Sequence, residues 1–181
     1  MITTDDESLA RFARSLRVHG REGGGSDLIV EMGNDWFMDE MSAAMGYHQL
    51  VRLEEIVARR NQIAGRYREL LGGLPDWIFP IVSSGIRPNC YKIPLRVNQR
   101  VDVATLKRYC LERHGVELES LYNPPCHLQP LYKRLFGFRE GFFPVAEEVL
   151  KRQICLPVHM GIGEEEISHV VEALTDGLKH G

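Results

Sequence analysis

The chain has 181 residues, 44% hydrophobic and 26% charged, with a formal net charge of -3. That length suits about one domain with extra material, and the composition is that of a packed globular protein rather than a disordered or fibrous one. There is no basic surplus to mark a nucleic-acid binder, no apolar run near the ~20 residues of a membrane span, and the start Met1 to Glu7 is acidic where a secretory leader is basic. A cytoplasmic protein with neither nucleic acid nor membrane as partner is expected. Cys90, Cys110, Cys126 and Cys155 are widely spaced and form no C-x-x-C pair, so they read as reduced structural thiols. A zinc set of Cys126, His127, Cys155 and His159 is disfavoured because Cys126 and His127 are adjacent rather than spaced for chelation.

The first helix is expected to open on a capping box, Thr4 with Glu7, and to carry Leu9, Phe12, Ala13 and Leu16 on one face before stopping at Gly20. Residues 21–27, rich in glycine, read as a loop. From Asp39 to Leu71 runs the longest helical pattern, with Met41, Met45, Val51, Ile56, Ile63, Tyr67 and Leu71 along its apolar stripe. Gly46 is the expected bend or break. Cys90 to Val97 reads as a strand, placed at a sheet edge by Pro94. Asp102 caps a helix that ends at His114 before Gly115, and Pro144 opens another. Between them, Leu121 to Pro130 is proline-rich and irregular. Gln153 to Leu156 is a short strand. The last helix has Glu164, Glu165 and Glu166 in its first turn and Lys179 near its end, matching the helix dipole. Together these elements predict an α/β domain with a small mixed or antiparallel sheet covered by helices.

Spacing alone assembles no complete active site. The most site-like residue is His127, within Tyr122-Asn123-Pro124-Pro125-Cys126-His127, because proline-bounded irregular backbone often presents polar side chains at a cleft. A histidine that satisfies backbone carbonyls in a rigid loop is the alternative.

Two blocks carry a resemblance. Met32-Gly33-Asn34-Asp35-Trp36-Phe37-Met38 continues through Ala43-Ala44-Met45-Gly46 and Gln49-Leu50-Val51-Arg52-Leu53-Glu54 to Arg59-Arg60. Tyr122 to Pro130 is followed by Phe143-Pro144-Val145-Ala146-Glu147 and by Ile154-Cys155-Leu156-Pro157. In this order they resemble motifs of the DegT/DnrJ/StrS-type sugar aminotransferases, pyridoxal-phosphate (PLP) enzymes of fold type I. The segment Thr4 to Gly20 is similar to the helix that follows the cofactor lysine in that family.

The resemblance implies three regions. Residues 1–37 would be a remnant of the large cofactor domain, residues 38–72 a long connecting and interface helix, and residues 73–181 the C-terminal small α/β domain. It implies PLP as cofactor, held together with a large-domain polypeptide or full-length homologue, and a homo-oligomer. The substrates would be a keto-sugar nucleotide and an amino-acid donor, with glutamate the expected one. Asn34, Asp35 and Trp36 would face the cofactor phosphate, and Tyr122 and His127 would line the substrate mouth. No Schiff-base lysine is expected in this chain, since Lys92, Lys107, Lys133, Lys151 and Lys179 all lie outside the family's threonine-lysine context. The first block also departs from the family, whose asparagine and arginine align with Asp35 and Phe37. A carboxylate facing a phosphate dianion is repelled, so a non-catalytic dimerisation or partner-binding remnant is the alternative function.

Overall fold

The computed structural model describes residues 2–23 and 25–180. They fall into two compact units, Met1–Arg52 and Leu53–Gly181.

In the first unit, helix α1 spans Glu7–Arg17. Its N-cap is Asp6 rather than Thr4. The Asp6 carboxylate accepts the N–H groups of Ser8 (2.8 Å) and Leu9 (3.1 Å), while the Thr4 hydroxyl accepts the N–H of Asp6. The Asp6 carboxylate thus satisfies orphan donors at the helix start that the capping box was expected to take. The chain then returns along the C-terminal end of α1, with Asn34 N–H donating to Leu16 O (2.9 Å) and Trp36 N–H to Arg17 O (3.1 Å). Gly20 and Gly33 permit this approach, because a side-chain carbon on Gly33 would strike the backbone nitrogen of Gly20.

Helix α2, Glu40–Val51, is capped by the Asp39 carboxylate on Ser42 N–H (2.9 Å). It runs straight through Gly46. The break in the long helical pattern falls instead at Arg52, whose N–H bonds back to Gln49 O and Leu50 O in a tightened last turn. Neither α1 nor α2 has a buried residue, and Gly20 alone is buried among the described residues of this unit.

The second unit opens with α3, Leu53–Leu71, which buries Ile63, Ala64, Tyr67 and Leu71. Three strands follow: β1 (Trp77–Ile78), β2 (Ile93–Val97) and β3 (Gln153–Leu156), all antiparallel in the order β1-β2-β3. Pro94 therefore lies in the central strand, not at the sheet edge. It is tolerated because β1 reaches only Arg96 and Val97, so β2 has no strand on that side at Pro94. β2 alternates as a half-buried strand should, with Ile93, Leu95 and Val97 turned into the core. All four residues of β3 are buried, and Cys155 N–H also donates to Glu119 O (2.9 Å) on its far side.

Helix α4, Val103–His114, begins at the Asp102 cap and ends at Gly115 in a left-handed conformation (φ 65°). Helices α5 (Pro130–Phe136) and α6 (Pro144–Lys151) both start on proline, and α7 spans Glu164–His180. Helix α7 packs on α3 and α4. Ile167, Val170, Ala173 and Leu174 join Leu106, Cys110, Leu95 and Ile154 in one core. Arg66 on α3 reaches Glu164 (2.8 Å), and the Tyr67 hydroxyl donates to Pro157 O (3.2 Å). All four cysteines are free thiols. No helix among the described residues is long and apolar enough to cross a membrane.

Candidate functional site

The loop between α4 and α5 builds the most organised polar centre in the second unit. Tyr122 has a positive φ of 43° and the Asn123–Pro124 peptide is cis. The Gln129 amide donates to Pro124 O (2.8 Å), and Cys126–Leu128 closes as a single 3₁₀ turn. This turn carries His127 inward, to 9% exposure, while Tyr122 stays 69% exposed on the same loop.

The buried imidazole is held by Glu147 in the first turn of α6, with His127 Nε2 2.9 Å from Glu147 Oε1. That carboxylate also accepts the N–H groups of Gly141 (3.0 Å) and Phe143 (3.2 Å). These backbone donors, Gly141 first, hold the Glu147 carboxyl below the usual glutamate range, helped by the bond to His127. An ionised carboxylate only accepts hydrogen bonds, so Nε2 carries the proton and a neutral ring keeps Nδ1 as an acceptor. Phe143 meets the ring edge-on at 4.8 Å, and Phe138 does so at 6.3 Å. The site is a nearly buried histidine anchored by a carboxylate inside an aromatic collar.

Glu147 was missed as a functional residue. It lies 20 positions from His127, and although it stands in the Phe143–Glu147 block that carries the resemblance, nothing in the spacing pairs it with the histidine.

Asn34, Asp35 and Trp36 form a separate group in the first unit. All three are exposed. Val18 pairs with Asp35 as an isolated antiparallel bridge, and the Asn34 side-chain oxygen accepts the N–H of Asp35 (2.9 Å). The Arg17 guanidinium lies over the Phe37 ring at 5.5 Å. Tyr122 and His127 thus share one loop, and Asn34, Asp35 and Trp36 share one extended return segment.

The lysines are committed elsewhere. Lys92 pairs with Glu119, and Lys107 donates to the Ser120 hydroxyl (2.6 Å). Lys133, Lys151 and Lys179 are exposed on α5, α6 and α7.

The "Spore coat polysaccharide biosynthesis protein SpsC" of Bacillus subtilis is 30% identical over 99% of this chain, which covers 49% of that protein. The "dTDP-4-dehydro-2,3,6-trideoxy-D-glucose 4-aminotransferase" of Saccharopolyspora spinosa is 28% identical over 99% of this chain and 48% of its own length. The crystal structure of S. venezuelae DesV in complex with a ketimine intermediate superposes with a TM-score of 0.85 at 27% identity, over 96% of this chain and 45% of DesV. The chain spans about half the length of the curated relatives it matches. Its small antiparallel sheet and covering helices are those of fold-type-I aminotransferases. The profile of the DegT/DnrJ/EryC1/StrS aminotransferase family matches residues 1–175, and the chain belongs to that family.

Proposed function

We propose that this chain is the C-terminal portion of a PLP-dependent sugar aminotransferase. In that role it moves an amino group from an amino acid, with glutamate as the donor, to a keto-sugar nucleotide. It does so only together with a large-domain polypeptide that carries the Schiff-base lysine, within a homo-oligomer in the cytoplasm. Family membership supports the reaction class, and the name of the S. spinosa relative supports the sugar-nucleotide substrate.

This chain's own residues do not make a complete PLP site. Residues 1–52 contain no lysine. In the second unit Lys92 is tied to Glu119 and Lys107 to Ser120, and the other three lysines stand on helix surfaces. The chain is therefore assigned the periphery of the site. Asn34, Asp35 and Trp36 would face the cofactor phosphate, and Tyr122 and His127 would line the substrate mouth. His127, oriented by Glu147, would accept a substrate hydroxyl proton at Nδ1.

The observation that carries the partner is the first unit's surface. Ile29, Met32, Trp36, Phe37, Met41 and Met45 are each more than half exposed, and a unit with only a glycine buried among its described residues has too little core to stand alone. Burial against a large domain supplies that core. The alternative, a non-catalytic dimerisation or partner-binding remnant, draws support from Asp35 and Phe37 standing where the family has asparagine and arginine. Mixing the chain with the separately expressed large domain of a family member, then assaying glutamate-dependent transamination of a keto-sugar nucleotide, tests the proposal. Activity that needs both polypeptides supports it. A stable complex without activity favours the remnant.

A further inference from the structure

Helix α5 and the turn after it carry a ridge of aromatic rings. Tyr132 stacks on Phe136 (centroids 6.3 Å, planes 15° apart), Phe136 meets Phe138 at 5.6 Å, and Phe138 meets Phe142 at 5.9 Å. Phe136 is 62% exposed, Phe142 is about half exposed, and α5 buries no residue at all. A single bare ring needs no explanation, but a contiguous run of them marks a surface that receives something.

The ridge starts at the site. Phe138 meets the His127 ring edge-on at 6.3 Å, so two ring contacts separate the histidine from Phe136. That separation is within the reach of the ribose and diphosphate that part a hexose from its base in a sugar nucleotide. The surrounding charge has the matching sign. Lys133 and Arg134 stand exposed on α5, and the Arg139 guanidinium lies over the Phe142 ring at 5.4 Å. Residues 130–143 hold one carboxylate against these three cations, Glu140. A nucleotide answers both features, because its base offers a π-face to the rings and its diphosphate offers negative charge to the cations.

We propose that this ridge receives the nucleoside diphosphate of a sugar nucleotide whose hexose lies at His127, with the base stacked on Phe136 and the diphosphate beside Arg139. The proposal rests on the reading of His127 as a residue of the substrate mouth. Stacking tolerates base identity, since every base has a π-face, so the ridge selects a class of ligand rather than one base.

The test titrates the full chain with thymidine diphosphate, and separately with pyrophosphate, at constant ionic strength, followed by NMR of the phenylalanine ring protons. Saturable shifts at Phe136 and Phe138 are expected with the nucleotide and not with pyrophosphate. Phe136→Ala should weaken nucleotide binding about fivefold or more, while Phe136→Tyr keeps it and Lys179→Gln leaves it unchanged. Phe136 is exposed, so losing its ring opens no cavity in the core. Equal ring shifts with pyrophosphate, or unchanged affinity in Phe136→Ala, overturn the proposal. Adding the large domain of a family member separates it from the amino-transfer reading. There Phe136→Ala should raise the KM for the sugar nucleotide and spare kcat. Activity with an unmoved KM, or a complex that Phe136→Ala dissolves, overturns the ridge as a nucleotide site. Nucleotide binding by the chain without transamination in the mixture upholds the ridge and overturns the amino-transfer reading alone.

Discussion

Glu147 and His127 form one unit, with the imidazole Nε2 2.9 Å from a carboxylate that also caps the N–H groups of Gly141 and Phe143. The loop that carries the histidine and the helix that carries the glutamate are locked by this contact. Because backbone donors lower the folded pKa of Glu147 below the ordinary 4.5, its ionised form stabilises the fold fully above that value. That contribution is lost as pH falls through the lowered folded value. Replacing Glu147 with Gln should remove this part of the acid sensitivity. Thermal unfolding of both proteins between pH ~5 and ~3 measures it, and superimposable pH profiles would contradict the assignment.

The same contact fixes a tautomer. Nitrogen NMR of the ring should show the proton on Nε2 in the native chain and a mixture in Glu147→Ala. A native Nδ1–H tautomer would remove the hydrogen-bond acceptor on which the proposed role of His127 depends.

Helices α4 and α7 meet closely at Gly177, where an added side-chain carbon would lie 2.6 Å from the Leu106 Cδ1 and 3.5 Å from the Cys110 sulfur. Leu106 is fully buried, so the end of its side chain would have to shift within a packed core. Gly177→Ala should therefore destabilise the second unit by about 1–3 kcal/mol through overpacking, despite the better helix propensity of alanine. Urea unfolding measures this, and a stabilised variant would show that the interface relaxes.

Tyr67 is fully buried on α3 and donates its hydroxyl to Pro157 O at 3.2 Å. Burial raises the phenol pKa, so the hydroxyl remains a donor throughout the physiological range. Tyr67→Phe orphans that carbonyl and should cost about 1 kcal/mol by the same unfolding assay. A neutral result would mean that water reaches Pro157 O.

The apolar surface of the first unit predicts self-association of the isolated chain. Sedimentation should show a concentration-dependent oligomer, and the double change Ile29→Ser with Met32→Ser, at two exposed positions, should weaken it without altering unfolding of the second unit. A strictly monomeric native chain would contradict the proposed partner surface.

The legible parts of this fold are those with chemically marked ends. Asp102 and Gly115 bracket α4, Pro144 opens α6, and the Glu164–Glu166 run opens α7, each where a backbone group needs a particular partner or φ. The break at Arg52 carries no such mark. Apolar spacing continues across it, and neither glycine nor proline stands there, so attention falls on Gly46, which the helix absorbs. Two-residue β1 is too short for alternation to be visible, and α5, with seven residues and no buried side chain, has no apolar face to detect. Pro94 was misplaced because its tolerance depends on how far a neighbouring strand reaches. The irregular, proline-bounded loop around His127 was legible, and the contact of its ring with Glu147 was not. Glu147 stood in a quoted block, but its contact arises only when the chain from 137 to 143 folds back.

The central claim is that this chain contributes the rim of an aminotransferase site while another polypeptide contributes the lysine. Visible absorption after adding PLP, with and without the large domain of a family member, tests it most directly. The chain alone should show no absorption from lysine-bound PLP, and both polypeptides together should show borohydride-fixable absorption from PLP on a lysine of the large domain. Stable lysine-bound PLP on the isolated chain, lost on substitution of one of its five lysines, would contradict it.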